Sequence, residues 1–251
     1  MGFKWGRTFF LGGWRDAMLS VVFPSHCALC QAYVGRSGDR GVCPACWSKI
    51  LPVPPPLCRR CGLPLPAREA FLCGACRTTP PFFQGARAYG LYQQELRDLI
   101  HLLKFGGRQD LAKPLGDRMA AMESYAVEIA NCQVLIPVPL HPRRLRRRGF
   151  NQSELLAKRV ACRFDIPVYS RVLFRKKDTP PQSGLTDHQR RENVHGAFLV
   201  RRPKRVAGKR VLLVDDVLTT GATLNACTLA LLSAGAAKVH VLTLARVPHL
   251  H

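Results

Sequence analysis

Eight cysteines stand in four C-x-x-C pairs: Cys27/Cys30, Cys43/Cys46, Cys58/Cys61 and Cys73/Cys76. Two thiolates separated by two residues can grip one metal ion through a tight turn, and a second such pair completes a tetrahedron. Regular pairs in a chain that opens on no leader-like segment point to metal rather than to disulfides. The first interval spans 12 residues and the next two span 11 each, so spacing alone leaves sequential and interleaved pairing open. Gly35-Arg-Ser-Gly38 suits a turn inside the first unit, and Leu51-Pro-Val-Pro-Pro-Pro-Leu57 suits a stiff spacer between units. Both favour sequential pairing. Four cysteines leave no open position for water or substrate, so two structural Zn²⁺ sites are expected.

The second chemical segment is Val211-Leu-Leu-Val-Asp-Asp-Val-Leu-Thr-Thr-Gly-Ala-Thr223. Its apolar start reads as a buried strand, Val211–Val214, which would deliver Asp215 and Asp216 to the C-terminal edge of a sheet, where open α/β sheets bind ligands. Adjacent carboxylates can accept hydrogen bonds from neighbouring sugar hydroxyls. Thr219, Thr220, Gly221, Ala222 and Thr223 then turn into a helix. Such a turn exposes successive backbone N–H groups next to the positive end of the helix dipole, which makes a phosphate cradle. A ribose 5-phosphate fits both halves. The segment lacks the Gly-Lys-Ser/Thr of a P-loop and the spaced glycines of a dinucleotide turn.

These residues need a frame. Leu96, Leu99, Ile100 and Leu103 recur at helical spacing, and Asp110–Met122 continues helical. Val134–Val138 reads as a buried strand, and Ser153–Cys162 as an amphipathic helix capped by Asn151. Thr223–Ala234 reads as a helix that stops at Gly235, and Val239–Leu244 as a strand. Strands and helices in alternation, with wholly apolar strands, give an α/β fold whose parallel sheet is covered on both faces. His141–Gly149 and Arg175–Arg191 match neither period and are expected to be loops. Cys132, Cys162 and Cys227 are expected in the core. Lys104, near a helix end, reads as a surface lysine that could also reach a ligand.

The domain order follows: an N-terminal helix over 1–23 (amphipathic near Leu11–Phe23), a cysteine-rich unit over 24–78, and the α/β domain over 79–251. No run of eighteen apolar residues exists, so no membrane insertion is expected and the cytoplasm is the expected location. The formal charge of +22 favours polyanionic partners, whether nucleic acid or phosphorylated small molecules.

Val211–Thr223 resembles the phosphoribosyl pyrophosphate (PRPP) motif of type I phosphoribosyltransferases at every position. Ile136-Pro-Val-Pro-Leu-His141, Arg148-Gly-Phe-Asn-Gln152, Thr179-Pro-Pro-Gln182, Leu185, Arg190-Arg-Glu-Asn-Val194 and Gly196-Ala-Phe198 narrow the match. With the cysteine pairs in front, residues 21–247 resemble the ComF/GntX family of competence-associated proteins: a small double zinc ribbon before a phosphoribosyltransferase-like domain. The resemblance implies PRPP binding by Asp215, Asp216 and Thr219–Thr223, with Mg²⁺ carried by substrate oxygens and water. It implies a pyrophosphate loop that includes His141, Arg143, Arg144, Arg146, Arg147 and Arg148. It implies a flexible lid that includes Thr179, Gln182, Arg190 and Arg191.

Two functions remain open at this level. One is phosphoribosyl transfer to an unknown nitrogen acceptor in DNA uptake or use. The other is a non-catalytic module that senses PRPP or binds single-stranded DNA or other nucleic acid, in company with competence or DNA-processing proteins. The arginine run could face a DNA backbone, a pyrophosphate, or both. His141 could move a proton or simply be polar surface.

Overall fold

A computed structural model of the chain describes residues 26–34, 41–66, 71–178, 187–194 and 196–248. The expected helix over 1–23 lies outside the described residues. The chain divides into two compact units, Met1–Ser48 and Lys49–His251. The first holds Cys27, Cys30, Cys43 and Cys46, the last two flanking the start of the short helix α1 (Pro44–Ser48). The second holds the other four paired cysteines together with the whole sheet, so the break between compact units precedes Cys58.

In the second unit, helix α2 (Gly74–Thr78) carries Cys76 and leads to strand β1 (Gly85–Leu91). Helix α3 (Gln94–Phe105) buries Leu96, Leu99, Ile100 and Leu103, the stripe expected from its period. A 3₁₀ turn at Gln109–Leu111 precedes α4 (Ala112–Ala120), and α5 (Ala126–Ala130) precedes β2 (Val134–Pro137). Then come α6 (Pro142–Arg148), α7 (Gln152–Phe164), β3 (Leu173–Arg175), α8 (Asp187–Val194) and β4 (Phe198–Val200). The chain closes with β5 (Arg210–Leu218), α9 (Ala222–Ser233) and β6 (Lys238–Arg246).

The main sheet has the order β1-β6-β5-β2, and every neighbouring pair is parallel. Period-two alternation splits its apolar residues between two faces. Val134, Ile136, Val211, Leu213, Val239 and Val241 share one core cluster with Leu224, Cys227 and Leu231 of α9. Helices α4 and α7 pack against the sheet and against each other on the opposite side. An antiparallel pair, β3 with β4, stands apart from this sheet. Its strands have three residues each, too short for a period to mark them in the sequence.

Four features differ from expectation, and the first is the stretch Arg175–Arg191: expected as a loop, it starts on the last residue of β3 and runs into helix α8 from Asp187 on. Strand β5 runs through both aspartates to Leu218 because β6 continues beside it: Asp215 pairs with Thr243, and Leu218 with Arg246. Its other neighbour stops at Pro137, opposite Val214, so the aspartates are flanked by a strand on one side only. The arginine run, expected as a loop, is instead helix α6. His141 caps it by accepting from the Arg143 N–H, Pro142 starts it, and left-handed Gly149 ends it. Arginine is a good helix former, so a run with these caps has no reason to stay irregular. Cys132 and Cys227 are buried as expected, but Cys162 is exposed. It lies off the α7 face that buries Leu156, Ala157, Val160 and Ala161. Among the described residues no helix is long and apolar enough to cross a membrane.

Candidate functional site

The cysteines form two groups, Cys27/Cys30/Cys43/Cys46 and Cys58/Cys61/Cys73/Cys76, and within each the sulphur atoms lie within 4.8 Å of one another. Pairing is therefore sequential. Backbone N–H groups point at sulphur, as from Cys43 to Cys27 Sγ at 3.4 Å and from Cys46 to Cys43 Sγ at 3.4 Å. Burial pushes the Cys27 thiol up, but N–H groups around it outweigh burial and bring it down to about 6. Cys58 is drawn down to about 7 against the same opposition. The first cysteine of each group is thus held most readily as thiolate, the form that binds metal. Burial instead pushes Cys61 up to about 11 and lifts Cys46 and Cys76 well above the usual thiol range, so the remaining thiolates depend on the charge of a bound metal.

The second cysteine group sits on β1. The Ala86 N–H donates to the Arg60 carbonyl at 2.7 Å, and the Arg60 side chain donates to the Phe83 carbonyl at 2.9 Å. Gly62 has φ +67°, and a Cβ there would fall 2.6 Å from the Ala86 carbonyl oxygen. Only glycine permits so close an approach in that conformation.

At the C-terminal end of β5, Asp215 and Asp216 are 9% and 4% exposed. Asp215 Oδ1 accepts from Ser153 Oγ at 2.8 Å and from the Asp216 N–H at 2.9 Å. Lys104 Nζ, at the end of α3, pairs with Asp216 Oδ1 at 2.9 Å. Lys104 is thus a partner of the acidic pair rather than a surface lysine. Asp216 Oδ2 is buried and has no hydrogen-bond partner among the described residues. A buried carboxylate oxygen in that state is costly unless a donor or cation meets it. Burial, and then the neighbouring Asp216, push the Asp215 carboxyl up to about 7.

That shift has a sign that can be tested. Between about pH 4 and 7 the folded chain keeps a proton that the unfolded chain has released, so stability falls as pH rises through this window. Asp215→Asn keeps an oxygen acceptor for Ser153 and removes the charge. It is expected to stabilise the unliganded protein at pH 8 by about 1–3 kcal/mol and to change little at pH 5. Thermal unfolding at the two pH values checks this; equal shifts at both would contradict it.

Beyond the aspartates, Thr219 and Thr220 are half-buried. Gly221 takes φ +83° at the N-terminus of α9, and the Ala222 N–H reaches Thr220 Oγ1 at 3.4 Å. Thr223 lies in the first turn of α9. Helix α6 divides the arginine run: Arg144 and Arg148, one turn apart, are half-buried, whereas Arg143, Arg146 and Arg147 are exposed. Arg148 feels the charges of both Asp216 and Asp215 and stacks over the Phe105 ring at 5.1 Å. It also donates to Gln152 Oε1. Arg143 turns instead to Asp178 at 3.4 Å, and His141 Nδ1 lies 3.3 Å from the same carboxylate. Thr179 and Gln182 lie outside the described residues, and Arg190 and Arg191 fall within α8.

Sequence reasoning had not singled out Ser153, and it had not seen that Lys104 and Arg148 converge on the acidic pair. Buried Arg246 at the end of β6 was also missed. It donates to the Leu218 carbonyl at 3.1 Å, to the Thr219 carbonyl, and to Cys61 Sγ at 3.9 Å.

Residues 18–77 match the double zinc ribbon domain and residues 146–250 the phosphoribosyl transferase domain. The chain is 36% identical to the DNA utilization protein YhgH of Escherichia coli O6:H1 over 237 residues, covering 91% of this chain and 99% of that protein. It is 32% identical to competence protein F of Haemophilus influenzae over 230 residues, covering 89% and 98%. Among solved structures, the allosteric regulatory enzyme of purine biosynthesis aligns at 26% identity and a TM-score of 0.35. That alignment covers 53% of this chain but spans only 25% of the enzyme.

Proposed function

The chain belongs to the ComF/GntX family of competence and DNA-utilisation proteins, and from that premise we propose that it binds PRPP at the end of β5 and transfers the phosphoribosyl group to a nitrogen acceptor during DNA uptake or use. The observation that carries this reading is the buried Asp215–Asp216 pair running directly into the 219–223 turn and α9, with Lys104 and Arg148 brought to it from other elements. The carboxylates would accept the ribose hydroxyls, and Asp216 Oδ2, which has no partner among the described residues, has the capacity to do so. Backbone N–H groups and the hydroxyls of Thr219, Thr220 and Thr223 would take the 5-phosphate.

Arg144 and Arg148, on the inward side of α6, would take the pyrophosphate, since guanidinium forks match phosphate oxygens. The acceptor nitrogen would form a bond to C1 as the C1–oxygen bond to pyrophosphate breaks. Mg²⁺, carried on the ligand's own oxygens beside Asp215 and Asp216, would supply charge neutralisation of the leaving pyrophosphate. Zn²⁺ fits both cysteine groups, whose four sulphurs already converge, and its role there is to hold each turn. The segment that includes Thr179, Gln182, Arg190 and Arg191 would act as a lid that keeps water from the reacting carbon.

Arg148→Met tests the assignment of the two ends of the ligand. It is expected to weaken PRPP binding by about 10- to 100-fold while leaving ribose 5-phosphate within about threefold of wild type. Calorimetry with both ligands reads the split, and equal losses for both would contradict it.

A second reading concerns nucleic acid. Arg143, Arg146 and Arg147 face solvent on α6, and such a face suits a single-stranded DNA backbone. Changing all three to Gln is expected to cut single-stranded DNA affinity and to lower the slope of log affinity against log salt by about 2. PRPP binding should stay unchanged. An unaltered salt slope would remove α6 from any nucleic-acid surface.

A further inference from the structure

Arg246 is 2% exposed, and among the described residues no carboxylate forms an ion pair with it. A buried guanidinium without compensation is strongly unfavourable. Its compensation comes from two directions. On one side are the carbonyl oxygens of Leu218 at 3.1 Å and of Thr219, the two residues that lead into the phosphate turn. On the other is Cys61 Sγ at 3.9 Å, a member of the second cysteine group. Four thiolates around one Zn²⁺ leave a net charge of about −2, the counter-charge this guanidinium otherwise lacks.

The backbone makes the contact consequential. In a planar trans peptide the C=O and the following N–H point in opposite directions. Pinning the oxygens of Leu218 and Thr219 toward Arg246 therefore turns the N–H groups of Thr219 and Thr220 away from it and fixes their direction. The strand supports this placement, because Leu218 is paired with Arg246 across β5 and β6 and accepts the Val247 N–H at 3.0 Å.

We infer that Arg246 is a positioning residue that couples the metal-loaded Cys58/Cys61/Cys73/Cys76 group to the 218–223 turn, so that the turn is ordered for a phosphate only while the second zinc is in place. The phosphate assignment rests on the reading given under Proposed function; the coupling itself does not. By linkage it is reciprocal: a ligand that orders the turn tightens binding of the second metal, and leaves the affinity of the Cys27/Cys30/Cys43/Cys46 group unchanged.

The test uses the full chain with both groups loaded. A chelator is added, freed cysteines are alkylated and located peptide by peptide, and amide exchange is followed across 218–223. In wild type, stripping the second group should speed exchange in that turn. Arg246→Met should free Cys58–Cys76 about tenfold faster, raise exchange in the turn, and weaken PRPP by about tenfold, with Cys27–Cys46 released at the wild-type rate. Arg246→Lys, which keeps the charge but not the fork, should fall between.

Two results would overturn the coupling. One is unchanged exchange at 218–223 after the second group of wild type is stripped. The other is release of both groups at wild-type rates from Arg246→Met. The variant Asp215→Asn with Asp216→Asn separates this from the functional reading. It should lose PRPP while keeping wild-type metal retention and exchange. A wild-type chain that shows the metal-to-turn effect but never binds PRPP would sink the functional reading and leave the coupling standing.

Discussion

Replacing Asp215 and Asp216 together by alanine is expected to reduce PRPP affinity at least about a hundredfold, because two charge-assisted hydrogen-bonding groups are worth about 1.5–3 kcal/mol each. Both carboxylates are buried, and one oxygen of Asp216 has no partner among the described residues. The truncation also removes the acceptor of Ser153 Oγ and the partner of Lys104, so part of any loss could come from a disturbed fold. The double asparagine variant resolves this. It keeps oxygens where Ser153 and Lys104 need them but removes the negative charge, and it should lose PRPP almost as completely. Its thermal stability at pH 8 should exceed that of the alanine variant, because relief of the Asp215 charge offsets part of the loss of the Lys104–Asp216 ion pair. Retained affinity in the asparagine variant would mean that the carboxylates do not hold the ribose.

Loss of the second metal is the other large effect. Structural zinc contributes about 10–16 kcal/mol of apparent binding free energy at neutral pH, comparable to a typical domain's whole stability. Cys58→Ser is expected to cost about one zinc per chain and to lower the melting temperature of the unit that holds the sheet. The reason is that the Cys58–Cys61 turn is bonded to β1 through Arg60 and Ala86. Cys27→Ser should also cost one zinc, but that group belongs to the other compact unit and should leave the sheet's transition in place. Metal analysis and scanning calorimetry on both variants check this. Equal melting shifts from the two would contradict it.

What was legible in the sequence was local. The thirteen residues Val211–Thr223 carry strand, acids, turn and helix start in one stretch, so both the elements and their order could be read. The cysteine groups were legible for the same reason, since each pair is its own turn and the stiff spacer favours the sequential order that the sulphur positions then show. Convergence across distance was not legible. Ser153 meets Asp215 from 62 positions away, and Arg246 reaches Cys61 from 185. Nothing near Lys104 marks it as a partner for Asp216; the sheet order and the packing of α3 bring them together.

Two misses had readable signals. His141-Pro142 and Gly149 bracket the arginine run with a helix start and a helix stop, so α6 followed from cap chemistry that the high charge obscured. Cys162 sits off the stripe formed by Leu156, Ala157, Val160 and Ala161, so its exposure followed from the helical period. The far extent of β5 had no such signal, because only the continuation of β6 beside it keeps two aspartates in a strand.

The central claim is that the end of β5 binds PRPP. Calorimetric titration of the zinc-loaded wild-type chain with PRPP in the presence of Mg²⁺ tests it most directly. Saturable binding with a Kd of the order of micromolar, abolished by Asp215→Asn with Asp216→Asn, is the predicted result. No heat of binding up to millimolar PRPP from a folded, fully metallated chain would contradict it.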